Sequence, residues 1–279
     1  MAHTVNHALD VIDCAGDRYL HSTPNLIGVA GVLVSNERNL VLTSNRNENT
    51  VGIFSPDDEH SVVRVGVGVR PNGLAYDPQR NLLLAANIGD PTLPGSFTVS
   101  LVDIKLRTMT ADIPVPGRTR WAVFDAQADV FYVNIMDPAQ MVLIQANQPT
   151  HVARAFEVPV AGPHGLDLDG ERRRLFCAGD GKKLVALDAD AGRVLDEQDI
   201  SGVPDVVLFN AALKHLYVAV GDPGVIDVFD ISAMTGAMQR IETVPTEKGA
   251  HTLALDALRN KVYAFLPQTH RAAILVDQA

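Results

Sequence analysis

The sequence predicts an all-β fold made by repeating one small antiparallel sheet around an axis, and three observations predict it. Six segments of the chain align on a single template. Their apolar runs are short, rich in Val, Ile, Leu, Phe and Tyr, and bounded by Gly, Pro, Asp and Asn, which is the pattern of strands and turns. No stretch of 10–15 residues keeps the i, i+3, i+4, i+7 spacing of an amphipathic helix.

The template supplies the first two strands of each unit. It reads "GVLVSNERNLVLTSN" from Gly31, "GLAYDPQRNLLLAAN" from Gly73, "WAVFDAQADVFYVN" from Trp121, "GLDLDGERRRLFCAG" from Gly165, "VVLFNAALKHLYVAV" from Val206 and "TLALDALRNKVYAFL" from Thr252. Successive anchors lie 42, 48, 44, 41 and 46 residues apart. Four positions after each anchor stands Ser35, Asp77, Asp125, Asp169, Asn210 or Asp256. These side chains accept hydrogen bonds from the backbone just downstream and so open a turn.

A third run follows each template: "TVGIFSP", "FTVSLVDI", "QMVLIQA", "KLVALDA", "VIDVFDI" and "RAAILVD". A fourth, more polar run such as "VVRVGVG", "ADIPVPG" or "AFEVPV" leads to the next template. Four strands in 41 to 48 residues is the spacing of a propeller blade. The gradient from apolar first strand to alternating fourth strand fits an inner strand packed between blades and an outer one half in water. The expectation is therefore a six-bladed β-propeller of four-stranded blades in one domain over residues 1–279. Residues 18–26 should pair with the C-terminal blade to close it. The run "ALDVIDCAG" from Ala8 copies a third strand, and points either to an extra outer strand or to a partial seventh blade.

The third and second runs resemble the YVTN-type β-propeller repeat. "NTVGIF" from Asn49 is similar to its N-T-V-x-V segment and "FYVNI" from Phe131 to its Y-V-T-N strand. The resemblance spans almost the whole chain and implies architecture, because propellers carry many unrelated activities.

Composition narrows the function classes. Against 33 acidic residues stand 23 basic ones, for a net charge of −10, with no clustered Lys or Arg. That excludes a nucleic-acid partner, since phosphate binding needs such clusters. The run Arg172-Arg173-Arg174 falls in an expected turn. No apolar run approaches 18 residues, so no membrane span is expected. Two cysteines make no disulfide framework, and Cys177 in "RRLFCAG" reads as a core thiol. The N-terminus has no basic segment followed by an apolar one, so a cytoplasmic location is expected, with a periplasmic or secreted one if an export signal is missing from the sequence.

Repetition places side chains at one end of every blade. Before the first-strand anchors stand Ala30, Asn72, Arg120, His164, Asp205 and His251. At the ends of the second strands stand Asn45, Asn87, Asn134, Asp180, Asp222 and Gln268. Each set should ring the channel mouth. His164, Asp205 and His251 come from three consecutive blades and offer two imidazoles and a carboxylate for a divalent metal. Such a donor set favours zinc, manganese, iron or nickel over calcium. Arg120 and Asn72 could hold an anionic or carbonyl-bearing ligand, and Asp180 or Asp222 could accept a proton. Asn87 and Asn134 either touch ligand or satisfy turn backbone. Trp121 replaces a small anchor residue and either walls a pocket or packs between blades.

Other motifs fall short. Asp188-Ala-Asp190-Ala-Gly192 departs from a calcium loop at its fifth position, "GDGKKL" from Gly179 lacks the phosphate-loop spacing, and no GxSxG occurs.

In plan the chain is similar to propeller enzymes that hold a cation at the axis: the gluconolactonase family, paraoxonase-like lactonases and phosphotriesterases. "GPHGLDLD" from Gly162 resembles a repeat of the virginiamycin B lyase family. The resemblance implies a metal-dependent hydrolase acting on a small-molecule substrate, although the chain lacks the glutamate those families place on their metal. Two alternatives stand beside it: a non-catalytic propeller that binds a protein or small ligand, and a metal-independent lyase or isomerase with a His base.

Overall fold

The computed structural model describes residues 1–278. It is a β-propeller of seven sheets that follow one another in chain order. The first holds β1 (Ala2–His3), β2 (Ala8–Asp13) and β3 (Arg18–Thr23); the second β4 (Val29–Ser35), β5 (Leu40–Asn45), β6 (Thr50–Ser55) and β7 (Asp58–Gly66). The third holds β8 (Pro71–Asp77), β9 (Leu82–Asn87), β10 (Thr98–Asp103) and β11 (Thr108–Pro114); the fourth β12 (Thr119–Asp125), β13 (Val130–Ile135), β14 (Gln140–Gln145) and β15 (Arg154–Glu157). The fifth holds β16 (Pro163–Asp169), β17 (Arg174–Gly179), β18 (Lys183–Asp188) and β19 (Val194–Asp199); the sixth β20 (Val203–Asn210), β21 (His215–Asp222), β22 (Val225–Asp230) and β23 (Gln239–Pro245). The last holds β24 (Leu253–Asp256), β25 (Lys261–Leu266) and β26 (Arg271–Val276).

The expected count of six blades is corrected to seven. Of the two alternatives for the run from Ala8, the added outer strand is wrong and the partial seventh blade is right. The run is the middle strand of its own sheet, with β1 on one side and β3 on the other. Residues 18–23 pair with β2 in the register Leu9↔Thr23 to Asp13↔Arg18, so they do not complete the C-terminal sheet, which has three strands. The physical reason is local. A short turn joins β2 to β3, and the hairpin satisfies β3 without a distant partner.

The chain divides into two compact units, Met1–Ala155 and Phe156–Ala279. In the first, β4 packs on β8 and β8 on β12; in the second, β16 packs on β20 and β20 on β24. First strands are thus the inner ones in both units. Second strands are buried along most of their length, with Leu83, Phe131, Phe176 and Leu216 fully enclosed. This is why they read as unbroken apolar runs. Cys177 is buried among them.

The turn-opening positions behave as the sequence implies. Asp77 Oδ1 accepts from the Gln79 and Arg80 amides at 2.9 and 3.2 Å, and Asp125, Asn210 and Asp256 do the same in their sheets.

A second regularity is a bulge in the first strand. Pairing with the second strand skips over Ala30 and Gly31 in β4, Asn72 and Gly73 in β8, Arg120 and Trp121 in β12, His164 in β16, and Asp205 and Val206 in β20. Bulges re-aim side chains, often beside functional sites. They also explain two anchor glycines. A Cβ on Gly73 would lie 2.5 Å from the Arg120 carbonyl oxygen, and one on Gly165 would lie 2.4 Å from that of Asp205. Only glycine lets the next sheet's bulge approach so closely.

Among the described residues, no helix is long and apolar enough to cross a membrane.

Candidate functional site

The bulges of β16 and β20, with the segment just before β24, bring together residues 41 and 46 positions apart in the sequence. His164, in the bulge of β16, is nearly buried. Its Nδ1 lies 2.9 Å from Oδ1 of Asp180, the residue just past β17. Its Nε2 lies 3.3 Å from Oδ1 of Asp205, in the bulge of β20. A carboxylate only accepts, so both contacts are hydrogen bonds at once only when the ring is doubly protonated.

The other carboxylate oxygen of Asp205 faces a second imidazole. His251 precedes β24, and its Nε2 lies 3.7 Å from Asp205 Oδ2. Its Nδ1 donates to the Gly249 carbonyl at 2.6 Å. A carbonyl cannot donate, so the neutral ring keeps its lone pair on Nε2, on the Asp205 side. The His251 side chain is 54 % exposed and that of Asp205 30 %, against 11 % for His164. The group therefore grades from a buried ring through a shared carboxylate to an accessible ring.

The strands that carry this group are pinned by another carboxylate. Asp167 in β16 accepts from the Phe209 amide of β20 at 2.7 Å and from the Leu168 amide at 2.7 Å. Part of the residue reaches the surface, but the carboxyl itself is enclosed. Desolvation pushes its pKa up to about 6, and the two amide bonds oppose this only in part.

The remaining expected site residues lie elsewhere. Asp222 ends β21 and pairs with Lys248 Nζ at 3.3 Å in an exposed contact. In the first unit, Arg120 and Trp121 share the bulge of β12 and are half-buried. Nη2 of Arg120 donates to Met136 Sδ at 3.4 Å. Oδ1 of Asn72 accepts from Arg46, and its backbone carbonyl accepts from Ser44 Oγ at 2.7 Å. Asn87 and Asn134 are fully buried. Asn87 Nδ2 donates to Thr98 Oγ1 and Ser100 Oγ, both at 2.9 Å, and so ties β9 to β10.

The donor set can be tested against a divalent metal. Among the described residues, no three His, Cys, Asp or Glu side chains form a group that could hold a metal ion. His164 spends both ring nitrogens on carboxylates, which leaves no ligand atom free as the group stands.

Sequence reasoning missed Asp167 and the Gly249 carbonyl. The first sits in an ordinary strand alternation, and the second is a backbone atom with no residue signature.

No family model matches the chain, and no curated protein sequence matches it. Solved structures do. A functionally unknown protein from Desulfotomaculum acetoxidans DSM 771 superposes with a TM-score of 0.82 at 12% identity, over 99% of this chain and 90% of that one. A chain of the mitotic checkpoint complex gives 0.82 at 10% identity, over 98% and 82%. A chain of hydrazine synthase from Kuenenia stuttgartiensis gives 0.61 at 14% identity, over 88% and 94%. At such identities the likeness concerns the fold alone.

Proposed function

We propose that the chain is a propeller of YVTN-type repeats whose second unit binds a small polar molecule and moves a proton on it, as a metal-independent lyase or isomerase does. One observation carries this reading. His251 is held at Nδ1 by a backbone carbonyl at 2.6 Å and presents Nε2 beside the Asp205 carboxylate at 3.7 Å. That is the arrangement of a general base with a fixed tautomer. When Nε2 takes a proton, the adjacent carboxylate stabilises the imidazolium. His164, clamped between Asp180 and Asp205, is a positioning residue that fixes the carboxylate's orientation.

A metal-assisted hydrolase is the second reading, and one measurement favours it. The 3.3 Å separation between Asp205 Oδ1 and His164 Nε2 resembles a ligand-to-ligand distance, whereas the 3.7 Å between Asp205 Oδ2 and His251 Nε2 exceeds one and would have to shorten. In a tetrahedral zinc site with bonds of about 2.0–2.1 Å, such edges are about 3.3 Å. For this, His164 would have to exchange its Asp205 contact for the ion.

Both readings are tested by screening small carbonyl compounds, lactones and phosphate esters for turnover by the tag-free protein. The wild type is compared with His251→Ala and Asp205→Asn, with and without a chelator. Chelator-resistant turnover that disappears in His251→Ala supports proton transfer. Chelator-sensitive turnover restored by zinc replaces it with the metal reading. If wild type and His251→Ala behave alike on every compound, both readings fall.

A further inference from the structure

The C-terminal sheet differs from the five four-stranded sheets in one respect: nothing pairs with its third strand on the outer side among the described residues. The orientation of the unpaired groups follows from the register. The Asp277 amide donates inward to the Asn260 carbonyl at 2.8 Å. In an antiparallel ladder, hydrogen-bonded positions alternate, so Leu275, Ala273 and Arg271 also bond towards β25. The N–H and C=O groups of Ala272, Ile274 and Val276 then point outward. The same parity holds in complete sheets: the Leu143 carbonyl of β14 accepts from the Ala153 amide at 2.8 Å, and the Gly224 carbonyl before β22 accepts from the Thr246 amide at 2.9 Å.

Beside this edge lies a groove of about 700 Å³, between β25 and β26 on one side and β22 and β23 on the other. Ile226, Val228, Ile241 and Ile274 give it an apolar lining. Its floor is rigid, because His215 Nδ1 and the Tyr217 hydroxyl both engage Asp277 Oδ2, at 2.7 and 2.5 Å. Glu242 and Asp277 are its charged residues besides His215, and no Lys or Arg lines it.

The other sheets show what fits such an edge. Their outer segments are extended and run antiparallel to the third strand, and three of them bury one apolar side chain in alternation: Val65 in β7, Ile113 in β11, Phe156 in β15. The acidic lining and the chain's net charge of −10 add a preference for positive charge. We propose that the β26 edge and its groove take up an extended basic peptide by strand addition, matching the six residues of β26, with apolar side chains at alternate positions. Outward backbone groups supply the affinity, and the groove selects the alternation. The proposal is independent of the His251 site. His215 and Asp277 lie at the opposite ends of their strands from the loops that carry Asp180 and Asp222.

The probe is a fluorescein-labelled basic peptide, KHSVVRVGVG, which is residues 59–68 with lysine in place of Glu59 and carries both the alternation and Arg64. Anisotropy is read on the whole chain. Micromolar binding is expected, about tenfold or more weaker when the valines of the peptide that match Val63 and Val65 are replaced by serine. Ile274→Pro removes an outward N–H and should weaken binding by about tenfold, since proline is tolerated at edges but cannot donate. Glu242→Lys is on an exposed residue, so the fold is kept, and binding should weaken by about three- to tenfold. Equal affinity for the two peptides, or unchanged affinity in both protein variants, overturns the proposal. So does a dimer in light scattering that Ile274→Pro disperses, which would make a second copy the occupant.

Discussion

Asp167 ties stability to pH in a direction opposite to most carboxylates. Its pKa rises from 3.8 in the unfolded chain to about 6 in the fold. The folded state therefore binds the proton more tightly. Between pH 4 and 6 the folded chain keeps that proton while the unfolded chain has lost it, so stability falls as pH rises. The stabilising contribution is complete below the unfolded pKa and is lost by the time pH has passed the folded one. At 1.36 kcal/mol per unit, a shift of roughly 2 units amounts to about 2–3 kcal/mol. Asp167→Asn removes the titration and keeps the shape. Urea unfolding of both proteins at half-unit steps from pH 3.5 to 7.5 isolates the effect, because other groups cancel in the difference. Relative to the variant, the wild type should lose about 1.4 kcal/mol per pH unit across the window and nothing above pH 7. A flat difference, or one that rises with pH, would refute the burial argument. A rise would mean that the Phe209 and Leu168 amides dominate and favour the charged form.

Three other perturbations test the packing of the second unit. Gly165→Ala places a methyl group 2.4 Å from the Asp205 carbonyl and should cost about 1–3 kcal/mol, whereas Gly170→Ala, with nothing near, should stay within about 0.5 kcal/mol; paired denaturation curves decide. Arg174 donates to the Ala233 and Met234 carbonyls at 2.8 and 2.9 Å, so Arg174→Met should cost roughly 2–3 kcal/mol and expose the segment between β22 and β23 to limited proteolysis. Asp227 is fully buried and accepts from the Ser201 amide and hydroxyl, both at 2.7 Å, and from Thr243 Oγ1 at 2.8 Å. Asp227→Ala strands these donors and should cost about 3–5 kcal/mol by the same assay.

The repeat was legible because its physics is local. Apolar second strands, turn-opening Asp and Asn residues and anchor glycines each leave a mark at a fixed position. The blade count was not, because the first sheet opens with β1, which is two residues long. So short a strand leaves no periodicity to read, and the Ala8 run fitted an extra outer strand as well as a partial seventh blade. The site was legible in its residues and not in its contacts. Alignment on the template put His164, Asp205 and His251 at one level, since the bulges of β16 and β20 fall there and His251 stands at the matching point before β24. It could not show that His164 turns Nδ1 to Asp180, or that His251 is held by the Gly249 carbonyl. Asn87 shows the reverse error of resolution. Its strand-end position suggested ligand contact or turn capping, while its amide is spent on Thr98 and Ser100 inside the sheet.

The bulge also decides how activity measurements on this chain are to be read. One or two residues in each bulged first strand are released from ladder pairing, and the one that precedes the anchor is not dictated by the core. In β4 that position holds Ala30, so the fold does not require a polar group there. His251 stands at the matching point before β24, with most of its ring in water and one bond to a backbone carbonyl. Replacing it with alanine leaves the Gly249 carbonyl to solvent and buries no unpaired group. His251→Ala should therefore change stability by no more than about 0.5 kcal/mol. Any loss of turnover in that variant then reports chemistry rather than unfolding. A drop of several kcal/mol in its denaturation midpoint analysis would instead make His251 a strut between β20 and β24, and the acid–base role would lose its footing.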